Sequence, residues 1–310
     1  MELLLGTGNY LVFFLTIVSV YALLALGLNV QWGYTGILNI GIAAFFAVGA
    51  YTSALLTAPA TAQPPGLGLP VAVGMLAAMP IAGILALGIG LITLNLRSDY
   101  LAIASIGIAE IVRLFLKNEE WLTNGVRGMA GIPRPFAGVE VFGWNAGGAL
   151  YLGLGAIIVA TVFIALQILY RAPWGRALRA IRDREVAAEA MGKNVLWFRL
   201  QSFVLGSAVM GLAGAVYAHF VGFISPEAFA PLFATFIVWV MLIAGGSGSN
   251  LGAIVGALAI WAVWSVTELL GRIPEEPIAG FGALRVFLIG LLLQVILLLR
   301  PQGIIPEPRE

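Results

Sequence analysis

Glu110 and Arg113 stand three residues apart inside an apolar run, the spacing that brings a carboxylate and a guanidinium together on one helix face. With a rise of about 1.5 Å per residue, Glu110 lies roughly 17 Å along such a helix from Asp99, near the middle of a bilayer. An ionisable group at that depth is a candidate for handling a solute or an ion. The same pair is equally suited to a structural ion pair, and the spacing leaves both readings open. A second set is Tyr34, Thr35, Gly36, Asn39 and Gly41, polar and small residues in a glycine-interrupted stretch. Irregular backbone inside a membrane is tolerated where protein or a water-filled cavity covers it, so this set is a candidate lining for a substrate path. Asn39 carries most of that reading because a buried amide needs partners. Tyrosine is also common at membrane interfaces. Arg171, Arg176, Arg179, Arg182, Arg184, Lys193 and Arg199 form a third set, seven of the sixteen basic residues within 171–199.

Other chemistry is missing. There is no G-x-x-x-x-G-K-[ST] loop to cradle a nucleotide phosphate, no H-E-x-x-H, no G-x-S-x-G and no cysteine. His219 is the only histidine and has no assigned role. The chain offers no candidate catalytic residue, metal site or cofactor site of its own, so active transport would take its energy from a partner.

These residues must be positioned by membrane-spanning helices. Only 10% of the 310 residues are charged and 61% are apolar, with a mean hydropathy of +1.01, against about 25% charged in a soluble domain. The apolar runs are continuous rather than alternating, which predicts helices and not a barrel. Between Glu2 and Arg97 there is no charged residue at all, and turn signals at Gln31–Gly36 and Thr57–Gly66 divide that run. The pattern predicts an all-α, polytopic helical bundle of about nine spans (eight to ten), forming a single transmembrane domain over 1–310. The spans fall near Tyr10–Val30, Ile37–Leu56, Leu69–Leu96, Tyr100–Leu116, Gly148–Tyr170, Leu200–Phe220, Ala228–Ala244, Leu251–Leu270 and Gly282–Leu299. Glu2 without nearby Lys or Arg predicts no cleavable signal peptide. Placing the basic strip in the cytoplasm also brings Arg97, Arg300 and Arg309 inside, ten of the sixteen basic residues. The amino terminus and the loop 117–147 are then external, and the carboxyl terminus is cytoplasmic.

Within the strip, Ala177–Met191 holds five alanines and no Gly or Pro, which predicts one helix stopped by Gly192. Arg184 and Glu185 share an arc with Ile181 and Ala188, which spoils an apolar stripe for lying on lipid. Asp183, Glu185 and Glu189 mixed among the bases suit a helix that docks on a cytoplasmic protein. A plain positive-inside loop fits the same composition. Gly248, Gly252 and Gly256, spaced by four, predict a helix-packing face.

Several stretches resemble the permease subunits of ATP-binding-cassette importers, and specifically the branched-chain amino acid permease family. They are Tyr21–Leu56, Ser98–Asn118, Trp174–Gly192, Arg199–Ala218 and Arg300–Ile304, in the family's order over most of the chain. The resemblance implies that Arg179, Arg182, Asp183, Glu185, Glu189 and Gly192 belong to a coupling helix (within 171–199) that meets an ATPase, with Glu189 and Gly192 at the Glu and Gly of an EAA-like loop. It implies a second homologous permease, two ATPase subunits that carry ATP and Mg, an extracytoplasmic substrate-binding protein, and a prokaryotic inner membrane. No nucleic-acid partner is implied, and membrane lipid surrounds the chain. One departure bears on cargo: the family pattern often reads Ser-Leu-Gly-His-Ala where this chain has Asn39-Ile40-Gly41-Ile42-Ala43. The implied cargo is a branched-chain or other neutral amino acid. Urea, amides or sugars through the same kind of importer, a stand-alone secondary transporter using Glu110, and a membrane-embedded enzyme are the alternatives.

Overall fold

In lipid, every backbone polar group must be satisfied internally, so long apolar runs become helices. The computed structural model describes residues 2–141, 144–271, 281–300 and 302–307, and helices dominate them. In chain order they are α1 (Glu2–Leu28), α2 (Ile42–Thr57), α3 (Val71–Thr93), α4 (Ser98–Asn118), α5 (Glu120–Thr123), α6 (Gly147–Arg171), α7 (Pro173–Asp183), α8 (Glu185–Ala190), α9 (Val195–Val221), α10 (Ile237–Gly245), α11 (Asn250–Gly271) and α12 (Phe281–Leu299). Two two-residue strand pairs are the β-structure among the described residues: β1 (Met129–Ala130) with β4 (Phe223–Ile224), and β2 (Glu140–Val141) with β3 (Trp144–Asn145).

Five of these helices are long and apolar enough to cross a membrane, at Gly8–Gly33, Val71–Thr93, Gly147–Arg171, Val195–Val221 and Asn250–Glu268. Ile42–Thr57, Phe233–Gly245 and Val286–Ile296 are apolar but shorter. α4 matches the expected fourth span in position, yet it carries Asp99, Glu110, Arg113 and Lys117. The architecture is all-α, as the hydropathy predicts. Arg309 lies outside the described residues.

α9 is the central helix and packs against α1, α2 and α3. Backbone runs against backbone there: a Cβ on Gly49 of α2 would sit 2.0 Å from the Gly211 carbonyl oxygen of α9, and one on Gly214 2.1 Å from the Phe46 carbonyl oxygen. Such approaches maximise the van der Waals contact that holds membrane helices together. α1 also packs against α6 and α11, and α10 against α11. Of the three glycines expected on one packing face, Gly252 and Gly256 lie on α11 and turn toward α10 of the same chain, whereas Gly248 belongs to the turn before the helix, at φ +87 against Glu307. A Cβ on Gly256 would stand 1.9 Å from the Met241 carbonyl oxygen, and one on Gly252 2.8 Å from that of Gly245.

α4 buries only a narrow face (Leu101, Ala102, Ser105, Ala109, Leu116) and leaves Ile103, Ile106, Ile111 and Phe115 exposed. α7 starts with Pro173 at its first turn, where a missing N–H costs nothing, and buries Gly175, Leu178 and Ile181. The single helix expected over Ala177–Met191 is corrected: it breaks at Arg184, whose backbone is extended (φ −151, ψ 88). The break turns α8 so that Ala188 packs with Ile181, Val195 and Phe198 in a small core of its own. A straight continuation would hold Arg184 and Glu185 on the buried arc.

Candidate functional site

α1 does not end cleanly. A π-helical turn, Asn29–Gly33, widens it, Gly36 takes φ +70, and residues 36–41 are unwound before α2 begins. The freed backbone groups are satisfied by side chains from other helices. Ser105 of α4 accepts from the Ile40 N–H (2.9 Å), Thr235 accepts from the Ala43 N–H (3.2 Å), and the Trp239 indole donates to the Asn39 carbonyl (3.0 Å). Ser105 is seven residues into α4, about 10 Å from its start, so the unwound segment lies inside the bundle and is covered by protein, as a membrane demands.

Of the residues expected here, the structure brings Thr35, Asn39 and Gly41 together around Gln31. Asn39 donates to Gln31 Oε1 (2.8 Å) and accepts from the Gly41 N–H (2.7 Å). The Gln31 amide donates to the Phe203 carbonyl (2.9 Å) and to Ser207 Oγ (3.0 Å) of α9. Thr35 donates to the Gln31 carbonyl and lies 3.3 Å from Ser202 Oγ, which donates to the Val30 carbonyl. Gln31, Asn39, Ser202 and Ser207 are fully buried. Tyr34 sits in the core rather than at an interface, donating to Asn250 Oδ1 (2.7 Å), which also accepts from Asn29 (3.0 Å). Gly36 is half-buried beside the aliphatic stem of Arg182, 3.5 Å from where its Cβ would stand. Gln31, Asn29, Ser202, Ser207 and Asn250 were not singled out from the sequence. The signal that finds them is simple: amides and hydroxyls inside apolar runs require partners.

Glu110 and Arg113 are not part of this cluster. Arg113 grips Glu110 with two donors (2.6 and 2.9 Å) and reaches Glu227 at 3.4 Å, while Lys117 donates to Glu227 at 2.9 Å. Glu227, in the 3-10 turn Pro226–Phe229 after α9, is the partner that spacing along α4 could not reveal. Its carboxyl is held below the ordinary range by the hydrogen bond and charge of Lys117, with Arg113 adding to the effect. His219 is buried between Ser53 Oγ (2.8 Å) and the Pro133 carbonyl (2.8 Å).

At the opposite end of α4, the strip 171–199 forms a polar surface. Arg179 lies over the Tyr170 ring at 4.0 Å. Arg182 pairs with Asp183 (3.2 Å) and Glu307 (3.0 Å) and donates to the Gly33 carbonyl. Burial opposes its charge, but the hydrogen bonds and charges of Glu307 and, less, Asp183 together hold the guanidinium above its ordinary range. Glu185 pairs with Arg199 at 3.2 Å. Glu189 faces outward and, with Glu185, Arg199, Arg97 and Ser98, lines a polar groove of about 450 Å³. Gly192 takes φ +77 with open space around it, and Lys193 N–H closes on the Ala188 carbonyl (3.1 Å), so the expected glycine stop forms. No group of His, Cys, Asp and Glu among the described residues could hold a metal ion.

Comparison with known proteins adds the following. The family described as "Branched-chain amino acid transport system / permease component" matches residues 10–297. The high-affinity branched-chain amino acid transport system permease protein LivM of Escherichia coli (strain K12) is 32% identical over 319 residues, covering 95% of this chain and 69% of that protein. The probable branched-chain amino acid transport permease protein LivM of Methanocaldococcus jannaschii is 29% identical, covering 93% of this chain and 91% of its own length. The high-affinity branched-chain amino acid transport system permease protein LivH of Escherichia coli (strain K12) is 28% identical, with 94% and 93% covered. No solved structure matches.

Proposed function

Given that the chain belongs to the branched-chain amino acid transport permease family, we propose that it is the transmembrane subunit of an ATP-driven importer for branched-chain or other neutral amino acids in a prokaryotic inner membrane. It is a transport subunit and not an enzyme. Its sister permease, two ATPases that bind ATP and Mg, and an extracytoplasmic binding protein complete the assembly. The observation that carries this reading is the α7–α8 surface. It lies outside the apolar helices, is rigidified by its own small core, and turns Glu185, Val186, Glu189 and Met191 outward. Exposed apolar and acidic side chains on a fixed helix suit a protein partner in water better than a lipid surface. The broken end of α1 supplies the irregular, protein-covered backbone from which membrane transporters build a path, and Thr35, Gly36, Asn39 and Gly41 with Tyr34 are our candidates for it. Glu110 and Arg113, tied to Glu227 and Lys117, fit a structural role at the far end of α4.

The test is recovery of ATPase subunits on the purified chain. Glu189→Lys should reduce recovery about tenfold while the membrane domain still folds. Gly192→Val forces a β-branched residue into φ +77 and should do the same. Wild-type recovery with both variants would refute α8 as the docking element.

A further inference from the structure

The segment after α12 crosses the coupling end of the bundle. The Ile304 and Ile305 N–H groups donate to the Ala244 and Gly245 carbonyls, both at 2.9 Å, at the end of α10. The fit is close: a Cβ on Gly246 would stand 2.1 Å from the Ile305 carbonyl oxygen, and one on Gly303 2.5 Å from Gly246 Cα. Two residues on, Glu307 is seated against Gly248, where a Cβ would lie 2.8 Å from its carboxyl carbon. The carboxylate accepts from the Tyr170 hydroxyl at the end of α6 (3.1 Å) and from Arg182 of α7 (3.0 Å). Arg182 places its other terminal nitrogen on the carbonyl of Gly33, the last residue of the π-helical turn that ends α1.

This is not a free surface pair, which would contribute little. The Arg182 and Glu307 side chains are 24% and 28% exposed, and each is bound in more than one direction. The guanidinium therefore joins α7 to the broken end of α1, and through Glu307, which packs against Gly248, the pair reaches the α10–α11 turn. We propose that Glu307 is a positioning residue for coupling, tying Arg182 so that a displacement of α7 is carried together to Gly33 and to Gly248. Without the tie, α7 would pivot on its apolar face and its movement would reach the two elements separately. The proposal rests on the reading of α7 and α8 as the surface that meets the ATPases.

The experiment uses the full chain, which has no native cysteine. Spin labels are attached at Val186→Cys on α8 and Ile92→Cys on α3, both highly exposed. The distance distribution is recorded for wild type, Glu307→Gln, Arg182→Met and the double variant. In parallel, ATP hydrolysed per leucine imported is measured for the complete importer in vesicles. Glu307→Gln keeps the shape and removes the charge, so folding is preserved. It should broaden the distribution and raise ATP consumed per leucine about tenfold. In the Arg182→Met background it should add nothing, because it acts through that residue. An unchanged distribution, or an unchanged ratio in a complex that transports, overturns the proposal. So does an equal effect of Glu307→Gln with and without Arg182. A wild-type chain that recovers no ATPases sinks the importer reading instead, and the label distribution still decides whether Glu307 holds α7.

Discussion

Glu227 is exposed, yet it closes the charge cluster at the end of α4 by accepting from Lys117 and Arg113. Those partners depress its folded-state titration below that of the unfolded chain, where a glutamate titrates at about 4.3. Its stabilising contribution is therefore complete above that value and is lost as pH falls through the lower folded value. The expected outcome is that wild type melts above Glu227→Gln at neutral pH and that the two curves converge under acid conditions. Melting in detergent across that range checks it, and a constant gap between the curves would count against the cluster. Half of this arrangement is legible in the sequence. The i,i+3 spacing of Glu110 and Arg113 announces a pair because helix geometry is local. Glu227 and Glu307 are not legible, since each meets its partner across more than a hundred residues, with no period to betray the contact.

At the scale of elements, two kinds of glycine behave differently. Gly192 is needed for its backbone, at φ +77 with nothing near its missing Cβ. Gly256 is needed for space, pressed on the Met241 carbonyl oxygen within an ordinary helix. The four-residue interval from Gly252 to Gly256 makes that second role readable, although the facing helix, α10, is not, and the same interval wrongly takes in Gly248, which the structure puts in the turn at φ +87. The break after α1 is readable in place, from the turn signal Gln31–Gly36, but its form and the break at Arg184 are not. Neither the π-helical turn at Asn29–Gly33 nor the kink at Arg184 has a Pro or Gly at its centre, because tertiary contacts impose them: amides held by α9 and α11 in one case, the Ile181–Ala188–Val195 core in the other. Gly256→Val should separate α10 from α11 and cost about 1–3 kcal/mol or more of overpacking strain. Gly107→Ala on α4, where an added Cβ would meet no atom beyond the helix's own backbone within 4 Å, should be neutral or slightly stabilising. Thermal unfolding of the two variants in parallel measures the contrast, and equal losses would mean that the α10–α11 contact is not as close as described.

For the whole molecule, the arrangement of charge decides which end faces the cytoplasm. The fold gathers Arg97 and the strip at one end, where Arg97 and Arg199 line the same groove and Glu307 of the terminal segment meets Arg182. Lys117, Arg127 and Arg134 belong to the other end, where Arg134 contacts the Val221 carbonyl at the far terminus of α9. Retention of Lys and Arg on the cytoplasmic side acts on short loops near span ends, and the strip is the densest such segment in the chain. Translocating that end would carry the strip's seven basic residues and Arg97 across the membrane, against Arg113, Lys117, Arg127 and Arg134 in the opposite orientation. The α7–α8 end is therefore expected inside, and α5 with the loop after it outside. Single cysteines report this without background because the chain has none. Val186→Cys on α8 and Trp121→Cys on α5 are both well exposed. In the chain expressed alone, an impermeant maleimide should reach Trp121→Cys in intact cells and Val186→Cys only in inverted vesicles. Labelling of Val186→Cys from the cell exterior would invert the topology, and would leave the α7–α8 surface on the side of the membrane where no ATP is available to drive it.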